Sequence, residues 1–140
     1  MPSSQLTDRT YRVLVVDDEP PIRLLVDRVL RLAGYETVLA ANGTEALQQL
    51  ETDLRFDLLL TDLMMPDVLG DELARRSRVL NPELKVLYLT GYSDRLFRER
   101  AILDADEAFL EKPITSGGLL EAVSLALFGS TRGPASRPTQ

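Results

Sequence analysis

Five polar side chains of this sequence could take part in chemistry, and each stands at or just after the end of an apolar run. They are two adjacent acids, a third acid, a hydroxyl and an amine: Asp17, Asp18, Asp62, Thr90 and Lys112. Carboxylates that lie close together raise each other's pKa unless a cation keeps them charged. Their hard oxygen ligands suit Mg²⁺. A magnesium ion beside a carboxylate nucleophile, with a lysine and a threonine to bind further oxygens, is the equipment for phosphoryl transfer to an aspartate.

The composition excludes several other kinds of site. The 140 residues include no cysteine and no histidine, which excludes disulfides, thiolate nucleophiles, Ser-His-Asp triads, zinc sites built on these residues and a phosphohistidine carried by this chain. A net charge of -6 argues against direct contact with nucleic acid, because such surfaces neutralise phosphates with Lys and Arg. We find no signal peptide and no apolar run near the ~20 residues of a membrane span, so we expect a cytoplasmic protein without membrane insertion.

The stretch from Phe56 to Asp62 must position the third acid. It reads Phe-Asp-Leu-Leu-Leu-Thr-Asp, and three consecutive leucines cannot alternate between core and water. As a strand it must be covered on both faces, which is typical of a parallel sheet in an α/β domain. Ligands of open α/β sheets bind beyond the carboxyl ends of the strands, which makes Asp62 a site candidate.

Apolar runs predict four further strands, at residues 12–17, 36–41, 85–90 and 108–110. Helical spacing and capping residues predict five helices: from Pro20 to a C′ glycine at Gly34, after an N-cap at Asn42, from Asp71 to a stop at Asn81-Pro82, from Ser93 to about Leu103, and after an N-cap at Ser116. Alternating strands and helices with short connections imply a parallel sheet covered on both faces. We expect a flavodoxin-like, doubly wound α/β fold, (βα)5, with strand order 2-1-3-4-5.

The predicted domain organisation is one folded unit, residues 11–128, between two disordered segments. Residues 129–140 are too polar and too rich in Pro and Gly to bury a core. Residues 1–10 are expected to be disordered as well. A chain of this length is sufficient for one self-supporting core.

Four motifs in order resemble the receiver domain of two-component response regulators. They are Val-Leu-Val-Val-Asp-Asp-Glu-Pro, Asp-Leu-Leu-Leu-Thr-Asp-Leu-Met-Met-Pro, Leu-Thr-Gly and Phe-Leu-Glu-Lys-Pro. An Asp-Asp-Glu stretch alone is most often a charged loop. Here each motif stands at the predicted end of its strand, and the resemblance covers about residues 11–128.

The resemblance implies a role for each polar residue of the site. Asp62 would be the phosphoacceptor. Asp17 and Asp18 would hold Mg²⁺, Asp18 more directly, and Met64 would add its backbone carbonyl. Lys112 would pair with the phosphoryl group, on a peptide to the following proline that is typically cis in the family.

The resemblance also implies a conformational switch. Thr90 would bond a phosphoryl oxygen, and its movement would vacate space for Phe109, the aromatic that turns inward on activation. Gly91 would leave room for the phosphoryl group, while Tyr92 and Met64 occupy positions that tune its lifetime. The face of the predicted fourth helix, fifth strand and fifth helix is the expected signalling surface.

The expected function is therefore a phosphorylatable module that catalyses only its own phosphorylation and dephosphorylation. The donor would be a histidine of a partner histidine kinase or histidine phosphotransfer protein, and a homodimer through the signalling surface is a further expectation. One alternative, a pseudo-receiver that binds partners without phosphorylation, predicts the loss of a site residue, and none is missing. A second, an aspartyl-phosphate phosphatase, predicts an acid two residues after the nucleophile, where this sequence has Met64.

Overall fold

The computed structural model describes residues 9–53, 55–91 and 107–129. These residues contain five strands: β1 (Arg12–Val16), β2 (Glu36–Ala40), β3 (Leu58–Asp62), β4 (Lys85–Thr90) and β5 (Glu107–Glu111). They also contain four helices: α1 (Pro20–Leu32), α2 (Gly43–Thr52), α3 (Gly70–Leu80) and α4 (Ser116–Phe128). Helix α4 is the fifth helix of the prediction. The predicted fourth helix, Tyr92 and most of the two predicted disordered segments lie outside the described residues.

The five strands form one parallel sheet in the order β2-β1-β3-β4-β5. This confirms the predicted fold class and strand order. Strand β3 lies at the centre, where Leu60 is paired with Val15 on one side and Leu87 on the other. All five residues of β3 are buried, so the two-sided covering predicted from the three leucines is confirmed.

The described residues form two apolar clusters, one on each face of the sheet. Leu59 of β3 packs into the cluster that includes residues of α2 and α3, and its neighbours Leu58 and Leu60 pack into the cluster that includes residues of α1 and α4. Each fully buried leucine contributes about 1.5–3 kcal/mol relative to an exposed one. The central strand is therefore held from both faces up to its last residue.

The helix ends follow the capping chemistry of the sequence, with one correction. Asn42 caps α2 by accepting a hydrogen bond from the Glu45 N–H at 2.9 Å, and Gly34 follows α1 with a φ of 98°; both predictions are confirmed. The predicted N-cap at Ser116 is wrong. Thr115 is the cap: it has extended backbone angles, and its Oγ1 accepts from the Gly118 N–H at 3.0 Å. Ser116 is already the first helical residue.

From the sequence alone, the three arginines of α3 (Arg75, Arg76 and Arg78) are expected to form one solvated face, but in the structure they behave differently from one another. Arg75 and Arg76 are exposed and pair with Glu72. The side chain of Arg78 is only 17% exposed and pairs with Glu107 of β5 at 3.1 Å. The expectation is wrong for Arg78, because this position faces the start of a distant strand. Within residues 9–53, 55–91 and 107–129, every helix is too short or too polar to span a lipid bilayer.

Gly70 brings the start of α3 against the end of β3. A Cβ added there would lie 2.4 Å from the carbonyl oxygen of Asp62 and 2.8 Å from the Cα of Leu63. We expect Gly70→Ala to lower the free energy of unfolding by about 1–3 kcal/mol, because backbone atoms would have to move. Urea denaturation followed by circular dichroism measures the change.

Gly117→Ala in α4 is the matched control for this substitution. The described residues place no atom within 4 Å of its added Cβ, so the variant should keep its stability or gain up to about 1 kcal/mol from helix propensity. Equal stabilities of the two variants would contradict the close approach at Gly70.

Candidate functional site

Three carboxylates meet at the carboxyl edge of the sheet. β1 and β3 are neighbours, with Val16 paired to Thr61, so the residues that follow this pair, Asp17 and Asp62, lie side by side. One carboxylate oxygen from each of these residues and one from Asp18 lie within 4.8 Å of one another. Asp17 is 0% and Asp62 5% exposed, whereas Asp18 is exposed. The sheet thus brings the three predicted acids together.

Lys112 reaches the same place from the end of β5. Its Nζ lies 3.5 Å from Asp17 Oδ2 and 3.5 Å from Asp62 Oδ2. Its backbone N–H donates to the Thr90 carbonyl at 2.8 Å, which ties it to the end of β4, and the predicted cis peptide to Pro113 is present. The amine therefore neutralises part of the charge of two buried acids.

Glu19 is a site residue that the sequence prediction missed. Its Oε1 lies 3.6 Å from Lys112 Nζ, and its backbone N–H donates to Asp17 Oδ1 at 2.9 Å. Its place directly after the two adjacent acids is the only indication in the sequence. Glu19 is thus a third carboxylate near the lysine, after those of Asp17 and Asp62.

Two buried oxygen atoms at this edge accept or donate no hydrogen bond among the described residues. They are Asp17 Oδ2 and Thr90 Oγ1, and Thr90 is 1% exposed. Buried polar atoms are nearly always satisfied, so each of these two calls for a physical reason, such as a water molecule, an ion or a functional role. A carboxylate oxygen beside two further acids suits a hard cation, and a hydroxyl suits an oxygen-rich group. The carboxylates of Asp17, Asp18 and Asp62 fit a magnesium ion.

Burial dominates the acid–base behaviour of the site. Burial, together with the charge of Asp17, raises the pKa of Asp62 to about 7, although Lys112 acts in the opposite direction. Burial also raises the pKa of Asp17. Burial acts to lower the pKa of Lys112, but the neighbouring carboxylates outweigh it and the pKa is raised. The lysine therefore stays charged near neutral pH. Its single positive charge is not sufficient to keep the pKa values of Asp17 and Asp62 at their ordinary level.

Met64, the predicted source of a carbonyl ligand, lies in the loop directly after Asp62. Its side chain is exposed, and its N–H donates a long hydrogen bond of 3.4 Å to Asp62 Oδ1. The flanking residues Leu63 and Met65 are buried. The backbone of Met64 thus passes along the edge of the acidic site, with a buried residue on either side.

The predicted switch aromatic, Phe109, is partly buried in β5. Its ring centroid lies 5.3 Å from that of Tyr88, its partner across β4 and β5. The Tyr88 hydroxyl donates to Glu107 at 3.3 Å. Thr90 is paired with Glu111, two residues after Phe109 in β5. Phe109 thus lies two residue pairs away from Thr90 in the ladder between β4 and β5. Gly91 is half-buried beside Thr90.

A five-stranded parallel sheet with acids, a threonine and a lysine at one edge is the arrangement of a receiver domain. Residues 13–124 match the family model of the response regulator receiver domain, and the chain belongs to that family.

Relatives cover the chain to different extents. The response regulator receiver protein CpdR of Brucella abortus is 31% identical over 119 residues, which are 85% of this chain and 98% of CpdR. The sensor kinase CckA of the same organism is 35% identical over 104 residues, 74% of this chain but 11% of that kinase. The solved structure of the chemotaxis response regulator CheY4 of Vibrio cholerae has a TM-score of 0.73 and 32% identity, with 85% of this chain and 100% of CheY4 covered.

The raised pKa of Asp62 predicts a pH-dependent stability of the metal-free protein. The folded state binds the Asp62 proton more tightly than the unfolded chain, so the free energy of unfolding contributed by this group falls as the pH rises from about 4 to about 7. The whole change is on the order of 1–4 kcal/mol. Urea denaturation in the presence of a chelator, at several pH values across this window, measures it.

Asp62→Asn isolates this effect, because other acids of the site titrate in both proteins. The stability advantage of the variant over the wild type should grow as the pH rises through the window. A difference that stays constant with pH would contradict the raised pKa.

Proposed function

We propose that this receiver domain accepts a phosphoryl group on Asp62 from a histidine of a partner protein, in a reaction that depends on Mg²⁺. The observation that carries the proposal is the juxtaposition of Asp62, two further carboxylates and the Lys112 ammonium at one sheet edge, with unsatisfied buried oxygens beside them. The partner would be a histidine kinase or a histidine phosphotransfer protein. The similarity to part of a sensor kinase supports a partner of this class.

The chain's own residues position the reaction more than they perform covalent chemistry. A carboxylate oxygen of Asp62 forms the new bond to phosphorus, the bond from phosphorus to the donor nitrogen breaks, and the electron pair of that bond stays on the histidine, which takes up a proton. The ammonium of Lys112 donates a hydrogen bond to an oxygen of the phosphoryl group while the group is being transferred. Asp17, Asp18, Asp62 and the backbone carbonyl of Met64 would hold Mg²⁺, which would supply positive charge to offset that of the phosphoryl oxygens.

We further propose that Thr90 and Phe109 report the phosphorylation of Asp62. The Thr90 hydroxyl, buried and without a partner among the described residues, would bond a phosphoryl oxygen. A modification that adds about -1.5 to -2 charge next to it gives that bond its driving force. Movement of Thr90 would open space for the Phe109 ring and alter the surface formed by β5, α4 and the predicted fourth helix. A homodimer through this surface belongs to the same proposal.

The two alternative functions are less well supported. A pseudo-receiver would not need Asp17, Asp18, Asp62 and Lys112 to converge, yet these four side chains lie close together. A phosphatase with a second catalytic acid would need a carboxylate at Met64, whose side chain is instead an exposed thioether. The phosphorylatable module therefore remains the proposal.

Intact-mass measurement after incubation with a small phosphodonor tests the function directly. We expect the wild type to gain one phosphoryl group in the presence of Mg²⁺ and none with a chelator, because the acids need a cation to accept more negative charge. Asp62→Asn should gain none. Asp57→Asn is the matched control, since Asp57 precedes the same strand at the opposite edge of the sheet, and it should be phosphorylated like the wild type.

The phosphorylation proposal fails if the wild type gains no mass with Mg²⁺, or if Asp62→Asn gains as much as the wild type. Loss of phosphorylation in Asp57→Asn as well would point to general unfolding, and circular dichroism of the same samples identifies that case.

Nuclear magnetic resonance with beryllofluoride, a phosphoryl mimic, tests the switch. We expect the ring signals of Phe109 to shift when the mimic and Mg²⁺ bind, and to shift much less in Thr90→Ala, because the hydroxyl that couples the two sites is gone. The ring of Phe56, buried before the start of β3, is the internal control and should not move. Unchanged Phe109 signals in the wild type would count against the switch role.

A further inference from the structure

Asp67 lies in the loop of residues 63–69, between the phosphoacceptor strand and α3, and outside the site described above. Its carboxylate accepts hydrogen bonds from the Gly43 N–H at 3.2 Å, the Thr44 N–H at 2.9 Å and the Thr44 hydroxyl at 2.8 Å. It also accepts from the Val68 N–H at 2.8 Å. Gly43 and Thr44 are the first two residues of α2, whose N–H groups have no partner within the helix.

The electrostatics of this contact favour a charged Asp67. Partial burial alone would raise its pKa, but the hydrogen bonds from Thr44, Val68 and Gly43 outweigh it and lower the pKa to about 2. A negative charge is also stabilised by the dipole at a helix N-terminus. The loop is thus tied to α2 at any pH near neutral.

A second contact holds the same loop against the same helix. Val68 packs onto the start of α2 and against the apolar cluster that contains Leu59. A Cβ added to Gly43 would lie 2.6 Å from the Cβ of Val68. Glycine at this position therefore permits an approach that any other residue would prevent.

The loop is held at several points, whereas the Met64 side chain, next to the acids, has little packing of its own. At the α3 end the Gly70 N–H donates to the Leu63 carbonyl at 2.7 Å, and at the α2 side Asp67 accepts three hydrogen bonds from the first turn of the helix. Met64 lies between them with a half-exposed side chain and one long hydrogen bond, to Asp62. The position of the Met64 backbone therefore depends on how the rest of the loop is held.

We propose that Asp67 is a positioning residue for the metal site: by anchoring the loop to the N-terminus of α2 it places the Met64 carbonyl for coordination. This inference rests on the proposed function, in which Asp17, Asp18 and Asp62 hold Mg²⁺. Asp67 itself touches neither the ion nor the phosphoryl group. It acts through the backbone that joins it to Met64.

Isothermal titration with Mg²⁺ alone tests the proposal on the full chain. We expect Asp67→Ala to bind Mg²⁺ about 10-fold more weakly than the wild type, which is the low end of the effect of outer-shell partners on metal affinity. Asn42→Ala is the matched control, because Asn42 caps the same helix through Glu45 without touching the loop. It should lose comparable stability in urea denaturation and keep the Mg²⁺ affinity of the wild type.

A second variant separates positioning from simple loss of charge. Gly43→Ala keeps the Asp67 carboxylate but pushes Val68 away from α2, so it should also weaken Mg²⁺ binding severalfold. Weaker binding in Asp67→Ala but not in Gly43→Ala would assign the effect to charge and overturn the proposal. Equal weakening in Asn42→Ala and Asp67→Ala would assign it to helix stability and overturn it as well.

The inference and the proposed function fail in different ways. If the wild type neither binds Mg²⁺ nor gains a phosphoryl group, the proposed function itself is wrong. If the wild type does both and Asp67→Ala binds Mg²⁺ equally well, only the positioning role is wrong.

Discussion

The structure depends on the placement of two carboxylates, those of Asp17 and Asp62, where water cannot fully solvate them. Asp62 ends the central strand β3, Asp17 follows the neighbouring strand β1, and both side chains are almost completely buried. Burial and mutual repulsion oppose their ionisation, and the single ammonium of Lys112 offsets only part of the charge. A divalent cation therefore stabilises a site of this kind when it binds. Its positive charge can also stabilise a further anionic group bound next to the carboxylates. The unfavourable electrostatics of the free site and its proposed activity are thus two consequences of one arrangement.

The surroundings of the site divide into parts that are held firmly and parts with room to respond. β3 is buried on both faces by two separate apolar clusters, so Asp62 is presented from a rigid strand. The loop after it is closed by the tight approach of Gly70 and tied to α2 through Asp67. On the other side, the Thr90 hydroxyl has no partner among the described residues, and Phe109 in the edge strand β5 is only partly buried. The nucleophile Asp62 is thus held firmly, whereas the proposed switch residues Thr90 and Phe109 have room to move.

The errors of the sequence-based prediction have a common physical origin. Ser116 and Thr115 are both hydroxyl residues suited to a cap, and only the backbone angles at the start of α4 decide which of them caps it. Three arginines on one helix look equally solvated in the sequence, yet Arg78 meets Glu107, 29 residues further along the chain. In the sequence Glu19 looks like any acid in a charged loop, and only the folded structure shows that it lies beside Lys112. In each case local chemistry permits several outcomes, and a contact distant in the sequence selects one.

The sequence by itself determined the order of strands and helices, the central buried strand and the identity of the residues at the strand ends. It could do so because apolar periodicity and capping act over a few residues, and because parallel strands bring their carboxyl ends to one edge. The tertiary structure alone decided which oxygens have no hydrogen-bond partner and how near Lys112 lies to each acid. It also decided that Asp67 accepts hydrogen bonds from the start of α2, 23 residues earlier in the chain. These features depend on distances and burial between separate elements, and such quantities exist only once the chain has packed.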